Sequence, residues 1–399
     1  MNNQNWLSGD ARPNNNGAKK DTTMNLFQAH NQWSTRPSDE RFQTLAALTA
    51  AVDARRLVTH AFDQPVCEVA VKTIDLPNDG GQTLIINGTR APMEPTTWAF
   101  GQLCGLAKAP AAYLRTLPPS IAAPALQHSV RSNRDQVKFM VLHDPDGGIN
   151  RLAATTSPKY GRIWDADVAR SVGRIVDASN GRFHNPPAYK KTPEGAWSKE
   201  TEPSGLYASD HDIFLFMIDG GSRIEAGDRA QLHRGFIVWN SEVGAASLGI
   251  MTFLFNAVCG NHIIWGASDV NTLLVRHNSG APARLDREVT PLLLDYAKAS
   301  AKPMEVVIQR ARNTTLLTVE TEPSNLLNEG WVTRFSKRFD FTRGEVRDAI
   351  DYATREEGQC VSLWDMVQGL TASAREYEYV DARVGLEKRA GKLLDLVRN

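Results

Sequence analysis

Asp210-His211-Asp212 sets two carboxylates and an imidazole directly ahead of the apolar run 213–218. If 210–212 is extended, alternation puts Asp210 and Asp212 on one face and His211 on the other. Two carboxylates on one face, joined by Glu242 or Asp219, could hold a divalent cation. His211 or His262 would then serve as the acid or base. The ligand count and spacing fall short of a complete metal site, so the polar rim of a sheet is the competing reading. Cys259 and His262 have the spacing of a metal pair. A zinc site needs about four ligands, however, and no further spaced cysteine or histidine accompanies them. If Cys259 ends a helix it faces the wrong end of the dipole for a stabilised thiolate, which argues against a nucleophile.

A second chemistry is carried by cations interleaved with aromatics. Lys159-Tyr160-Gly161-Arg162-Ile163-Trp164, Arg182-Phe183-His184 and Tyr189-Lys190-Lys191 all show this mixture. It suits phosphate neutralisation combined with base stacking on a single strand. The loop 276–284 has two arginines, Arg276 and Arg284, and no acid. Trp331, Arg334, Lys337, Arg338 and Arg343 make a further basic stretch. For each stretch alone, a solvated surface with its aromatics in the core is the competing reading. Walker, G-x-G-x-x-G, H-E-x-x-H and G-x-S-x-G patterns are absent, so ATP- or NAD-dependent chemistry has no sequence support.

The elements that must position these residues read as follows. Residues 1–36 are rich in Asn, Asp, Gly, Lys and Ser, a composition expected to stay a disordered tail. Ser38 is the expected cap of a helix carrying Phe42, Leu45, Leu48 and Val52 on its inner face. Strands are expected at 66–74 and 83–86, a helix at 96–106 and another starting at 110–117. The segments 137–142 and 151–155 flank Asp144-Pro145-Asp146-Gly147-Gly148 and predict a hairpin. A helix is expected at 165–178 and a Pro/Lys-rich loop at 185–205. Strands follow at 213–218 and 231–239, then a helix at 246–258 and a strand at 263–265. From 286 the pattern turns helical, at 289–312, 343–357 and 376–397.

The segment 234–266, RGFIVWNSEVGAASLGIMTFLFNAVCGNHIIWG, is the most distinctive stretch. It reads as strand, turn, helix, turn and strand. Asn240-Ser241-Glu242 sits at the expected start of the helix, where such side chains cap free N–H groups or an anion binds. Capping is the preferred reading. Gly260 would close the helix at its far end. Phe236, Trp239, Leu248 and Phe255 are the expected core positions.

This segment resembles the core of the phage/plasmid-like protein family (domain of unknown function 932). Similar agreement extends to 206–214, Arg276-His277, 156–160, 362–366 and Leu370-Thr371, so the resemblance spans roughly residues 130–395. The resemblance implies a protein of phages, plasmids and other mobile elements. It supplies no catalytic residue.

With 42% hydrophobic and 23% charged residues the chain has the composition of a globular protein with ample core. A formal net charge of zero argues against coating nucleic acid or anionic membrane by overall field, though not against a local groove. Four scattered cysteines read as free thiols in a reducing compartment, and the absence of an apolar leader or spanning run points to the cytoplasm. Strands precede helices, so the expected class is α+β: an antiparallel β-sheet core packed with helices, a helical C-terminal part and a disordered N-terminal tail. The expected division is a tail at 1–36, an α+β core at 37–285 and a mainly helical region at 286–399 packed on it.

The leading functional expectation is ATP-independent binding or annealing of single-stranded DNA in mobile-element DNA metabolism, such as phage or plasmid recombination. Lys159, Arg162, Arg234, Arg276 and Arg284 would meet phosphates, Tyr160 and Trp239 would stack on bases, and Asn240 would join them. Asp210, His211, Asp212, Glu242, Asn261 and His262 form the alternative polar site, that of a metal-dependent enzyme on nucleic acid or nucleotides. A host-interaction or counter-defence protein without catalysis is the third expectation. No cofactor, resident metal or membrane partner is implied, and a homo-oligomer is compatible with the sequence.

Overall fold

The computed structural model describes residues 36–75, 82–87, 92–191, 197–203, 205–225, 231–256, 262–263, 272–316, 329–358, 360–374, 376 and 380–398. The tail expected at 1–36 therefore lies outside the described residues except for Arg36. The class is α+β, with antiparallel sheets and a helical C-terminal part.

Six strands form the first sheet: β1 (Thr59–Pro65), β2 (Ala70–Asp75), β3 (Gln82–Asn87), β4 (Met93–Pro95), β5 (Gln136–Leu142) and β6 (Asn150–Thr156). Their spatial order is β1-β5-β6-β4-β3-β2, antiparallel except where β4 runs parallel to β6. The turn residues 143–149 close the expected β5–β6 hairpin, in which Gly147 takes a φ of 81°. One face of this sheet, with Val71, Ile86, Phe139 and Leu152, packs on the helices Thr97–Leu106 and Pro119–Val130. The second of these helices was not anticipated. Pro119 begins it, a position where the missing N–H costs nothing.

The remaining strands are β7 (Phe183–His184), β8 (Pro187–Lys191), β9 (Trp197–Pro203), β10 (Leu206–Ala208), β11 (Ile213–Glu225), β12 (Gln231–Asn240), β13 (Leu248–Asn256), β14 (His262–Ile263) and β15 (Thr272–Val275). The second sheet follows the order β10-β11-β12-β13-β14, with β7 on β11 and β15 on β13. Strands β8 and β9 pair with each other, where the sequence had suggested a loop over 185–205. Residues 264–265 of the strand expected at 263–265 lie outside the described residues.

Within segment 246–258, expected as a helix, residues 248–256 are instead strand β13, in register with β12 from Trp239↔Gly249 to Leu232↔Asn256, while 257–258 lie outside the described residues. Leu248, Ile250 and Leu254 face one hydrophobic cluster, while Met251 and Phe253 face another. A strand buried on both faces is apolar without alternation and mimics a buried helix in sequence. Gly249 is specific to the strand pairing, because a Cβ there would lie 2.0 Å from the Trp239 ring.

One face of the second sheet is covered by the helices Leu45–Leu57 and Asp165–Ala178 and by the C-terminal helices, all in one cluster. Thr44, rather than Ser38, caps the first of these, accepting from the Ala47 N–H at 3.2 Å. The expected helix 289–312 is two helices, Thr290–Lys298 and Lys302–Asn313, preceded by Ala281–Arg284 and a π-helical turn Leu285–Val289. Glu329–Phe339, Arg343–Glu357, Leu363–Ala374 and Val380–Lys392 complete the helical part. Of the expected helix 376–397, residues 377–379 lie outside the described residues.

Candidate functional site

The turn 240–247 between β12 and β13 is where the two sheets meet. Val243 packs with Met140, Ala153 and Ala154 on the rear face of the first sheet. Trp98 Nε1 and Gln102 Nε2 donate to the Val243 carbonyl at 3.0 and 2.7 Å. Ser241 Oγ donates to the His211 carbonyl at 2.6 Å and accepts from the Ala245 N–H at 2.9 Å. Gly244 allows the turn its φ of 87°, which a side chain would strain.

Behind this turn lies a buried charged network. Glu242 Oε1 accepts from the Asp165 N–H at 2.6 Å, so an acid from the turn satisfies a free amide at the start of helix Asp165–Ala178. Asn240 Nδ2 donates to the Ile163 carbonyl at 2.8 Å and to Asp165 Oδ1 at 2.7 Å. Arg55 Nη2 reaches Asp165 Oδ2 at 2.7 Å. Arg162 donates to the Glu242 carbonyl and lies against the rings of Tyr160 and Trp164. Burial, followed by the like charge of Glu242, raises the Asp165 pKa well above the carboxylate range, against the pull of Arg55. Burial likewise lowers the pKa of Arg162. Arg162 Nη2 and Asn240 Oδ1 are buried here without hydrogen-bond partners.

Beside the network, two surface segments come together. The Gly161 N–H donates to the His277 carbonyl at 3.2 Å, and the His277 ring stacks on Tyr160 at 4.9 Å and 15°. Gly161 is required for this approach, since a Cβ would lie 1.8 Å from the Asn278 carbonyl oxygen. Tyr160 Oη donates to the Ser241 carbonyl at 2.9 Å. Burial lowers the His277 pKa to about 4, so the ring is neutral at pH 7.

Of the residues expected to meet nucleic acid, Lys159 and Arg276 are exposed and Tyr160 is half-buried. Arg284 is half-buried and paired with Glu288 at 2.6 Å. The other four are corrected. Arg234 is 1% exposed and bound to Asp219 at 2.9 Å, with Nη1 on the Ala299 carbonyl at 2.7 Å. Trp239 and Asn240 are 0% exposed, and Arg162 is buried in the network just described. None of these four presents a surface to a strand. The placements follow from alternation on a two-sided sheet, which gives Trp239 to one core and aims Arg234 at the C-terminal helices. In the other cation–aromatic stretches, Phe183 is fully buried and Trp331 Nε1 donates to the Leu316 carbonyl at 3.2 Å.

The acidic set is also rearranged. Residues 209–212 form the turn between β10 and β11, where the Ser209 N–H donates to the Asp212 carbonyl at 2.8 Å. Asp210 and Asp212 therefore do not share a strand face. Asp212 is buried, holds Arg36 at 2.6 Å and accepts from Ser209 Oγ. Asp210 stays at the rim, 2.7 Å from His211 Nδ1 and 3.8 Å from Arg151. Burial opposes charge on His211, but the Asp210 hydrogen bond and the nearby Asp212 charge outweigh it and raise its pKa. Asp219 is committed to Arg234 in the interior, away from Glu242 on the Asp165 amide. Among the described residues no group of three or more His, Cys, Asp or Glu side chains could hold a metal ion. Cys259 and Asn261 lie outside the described residues, as does the His262 side chain.

The sequence reading missed Arg36, Arg55 and Asp165. The only local signal was the acidic first turn Asp165-Ala166-Asp167, which reads as ordinary helix-start chemistry. Among the described residues no helix is long and apolar enough to cross a membrane. Comparison with protein-family models, with curated proteins and with solved structures finds no match for this chain.

Proposed function

We propose that this chain binds single-stranded nucleic acid without ATP, on the surface made by residues 157–160 and 276–284. One observation carries the reading. Two stretches picked out separately in the sequence, one for cations interleaved with aromatics and one as an acid-free loop with two arginines, are held against each other by the Gly161–His277 contacts, 116 positions apart, and the Tyr160–His277 stack. Lys159 and Arg276 stand exposed beside that ring pair. Arg284 lies further along the second segment in an ion pair with Glu288. The pair is exposed to water, which screens its attraction, so a phosphate can displace the carboxylate.

The division of labour is simple. Cations neutralise phosphate and release counterions, while the ring pair offers its outer edge for an edge-to-face contact with a base. The buried network behind holds both loops through Tyr160 Oη and the turn 240–247. A cytoplasmic mobile-element protein that protects or anneals strands during recombination or replication fits this surface. A metal-dependent enzyme has less support, because Asp212, Asp219 and Glu242 give lone pairs to Arg36, Arg234 and a helix amide. The test is a fluorescence-anisotropy titration of a labelled thymidine oligomer at low salt. Saturable binding that weakens with salt is expected; no binding at low salt overturns the reading.

A further inference from the structure

Helix Asp165–Ala178 carries a second stripe of chemistry that the polar network does not use. Asp167, Arg170, Arg174 and Asp177 recur at spacings of three and four and so share one helix face. That face forms a wall of a cleft of about 740 Å³, within the range of small-molecule sites. Pro282, Leu285 and Asp286 form the opposite wall, and the core residues Ile163 and Ala169 lie buried beneath the cleft.

Three features of the cleft point to a flat ligand with a polar edge. Gly173 lies mid-helix, where glycine is disfavoured relative to alanine. A Cβ there would meet nothing within 4 Å, so packing does not explain the glycine, and its bare backbone leaves the cleft wall flat. The opposite wall is the start of the π-helical turn Leu285–Val289, a rare geometry that recurs at functional sites. Arg174 bridges the two walls to Asp286 at 3.0 Å, with side chains 56% and 68% exposed, a contact that a ligand can displace. Asp177 is exposed on the same wall one helical turn beyond Arg174.

We propose that this cleft binds a purine base with a guanine-type edge. The base would lie over Gly173, with its carbonyl and N7 side toward the Arg174 guanidinium and its N–H edge toward the Asp177 carboxylate. Arginine pairs with guanine acceptors, and a carboxylate accepts from ring and amino N–H groups. The choice of a nucleobase rests on the nucleic-acid reading above. The cleft begins where that surface ends, because Pro282 lies in the 276–284 segment and its Cδ approaches Gly161. The base can come from a free nucleotide or from an unstacked position in a bound strand.

Calorimetric titration of the full chain with GMP, AMP and CMP tests the site. GMP is expected to bind about tenfold more tightly than either alternative, the discrimination typical of one bidentate base contact. Gly173→Leu should abolish GMP binding. The exposed Asp177→Asn, which leaves the fold intact, should erase the preference for GMP. Neither substitution should alter the affinity of a thymidine oligomer, so failure of the cleft and failure of the loop surface are separable. A single guanine placed in that oligomer tightens binding if the base is taken from a strand; unchanged oligomer affinity with GMP binding retained identifies the free nucleotide. Equal binding of all three nucleotides, no GMP binding, or GMP binding indifferent to Asp177→Asn overturns the proposal.

Discussion

Two buried charged centres flank strand β12, and they differ in the charges they hold and in what they connect to. At one end of the strand Arg234 is held by Asp219 and by the carbonyls of Tyr296 and Ala299, with the Tyr296 ring 5.3 Å away. Tyr296 Oη in turn donates to the Gly235 carbonyl at 3.1 Å. At the other end Asp165 and Glu242 meet as two acids beside Arg55 and Arg162; both centres leave polar atoms unpartnered, Arg234 Nε at the first and Arg162 Nη2 and Asn240 Oδ1 at the second. The first centre is a matched pair that ties the sheet to the C-terminal helices. The second sets two acids against Arg55 and Arg162, raises the Asp165 pKa and connects directly through Tyr160 to the surface loops. Buried charge and unpartnered polar atoms occur at both ends, so neither alone marks a site; connection to an exposed surface is the better guide.

The largest effect expected from breaking this contrast is at the matched pair. Arg234→Ala leaves Asp219 buried without its main partner and should cost about 3 kcal/mol or more in urea denaturation, as truncated buried pairs do. Oligonucleotide affinity per folded molecule should be unchanged. A loss below about 1 kcal/mol would mean that the pair is not the clamp described, since that is the scale of an exposed pair.

Acidification probes the other end. The His277 pKa is lowered to about 4, against an ordinary value near 6.5. The unfolded chain therefore binds a proton first, and stability falls as pH drops from about 6.5 toward 4, by up to roughly 1.4 kcal/mol per pH unit for one proton. Denaturation midpoints across that range should show the slope, and His277→Gln should remove one proton's share of it. His211 acts in the opposite sense. Its raised pKa contributes stability that is complete below the unfolded value and is lost as pH rises through the folded one.

A smaller change is expected for Glu242→Gln. The amide oxygen still accepts from the Asp165 N–H, while the like charge beside Asp165 is gone. Stability at pH 7 should move by no more than about 1 kcal/mol, the scale of one hydrogen bond. Because the raised Asp165 pKa removes stability as pH rises above the ordinary carboxylate range, the variant should show a flatter decline above pH 4 in the same denaturation series. An unchanged curve would separate the two acids.

What was legible in the sequence follows the range of the interactions. The β5–β6 hairpin is written in a local turn, Asp144-Pro145-Asp146-Gly147-Gly148, and helix Asp165–Ala178 in its periodicity. Strand β13 was not legible, because burial on both faces erases the alternation that distinguishes strand from helix. The candidate site was legible in part. Lys159, Tyr160 and Arg276 were chosen by residue type and are exposed or half-buried in the fold, as a surface reading requires. Arg234, Trp239 and Asn240 were chosen by the same logic and lie in the core, since residue type does not specify which sheet face a position takes. Arg55 and Asp165 are joined across 110 positions, a pairing that only the fold creates.

In the proposed reading the exposed loop pair, and not the buried network, meets the ligand. Lys159→Glu with Arg276→Glu should leave stability within about 0.5 kcal/mol, as surface changes do. The decisive measurement is the salt dependence of thymidine-oligomer affinity for this double variant and the unmodified chain. The account predicts weaker binding by about tenfold or more at low salt, with a shallower slope of log K against log salt by roughly 0.7 per lost phosphate contact. Equal affinity and an equal slope in the two proteins would contradict it.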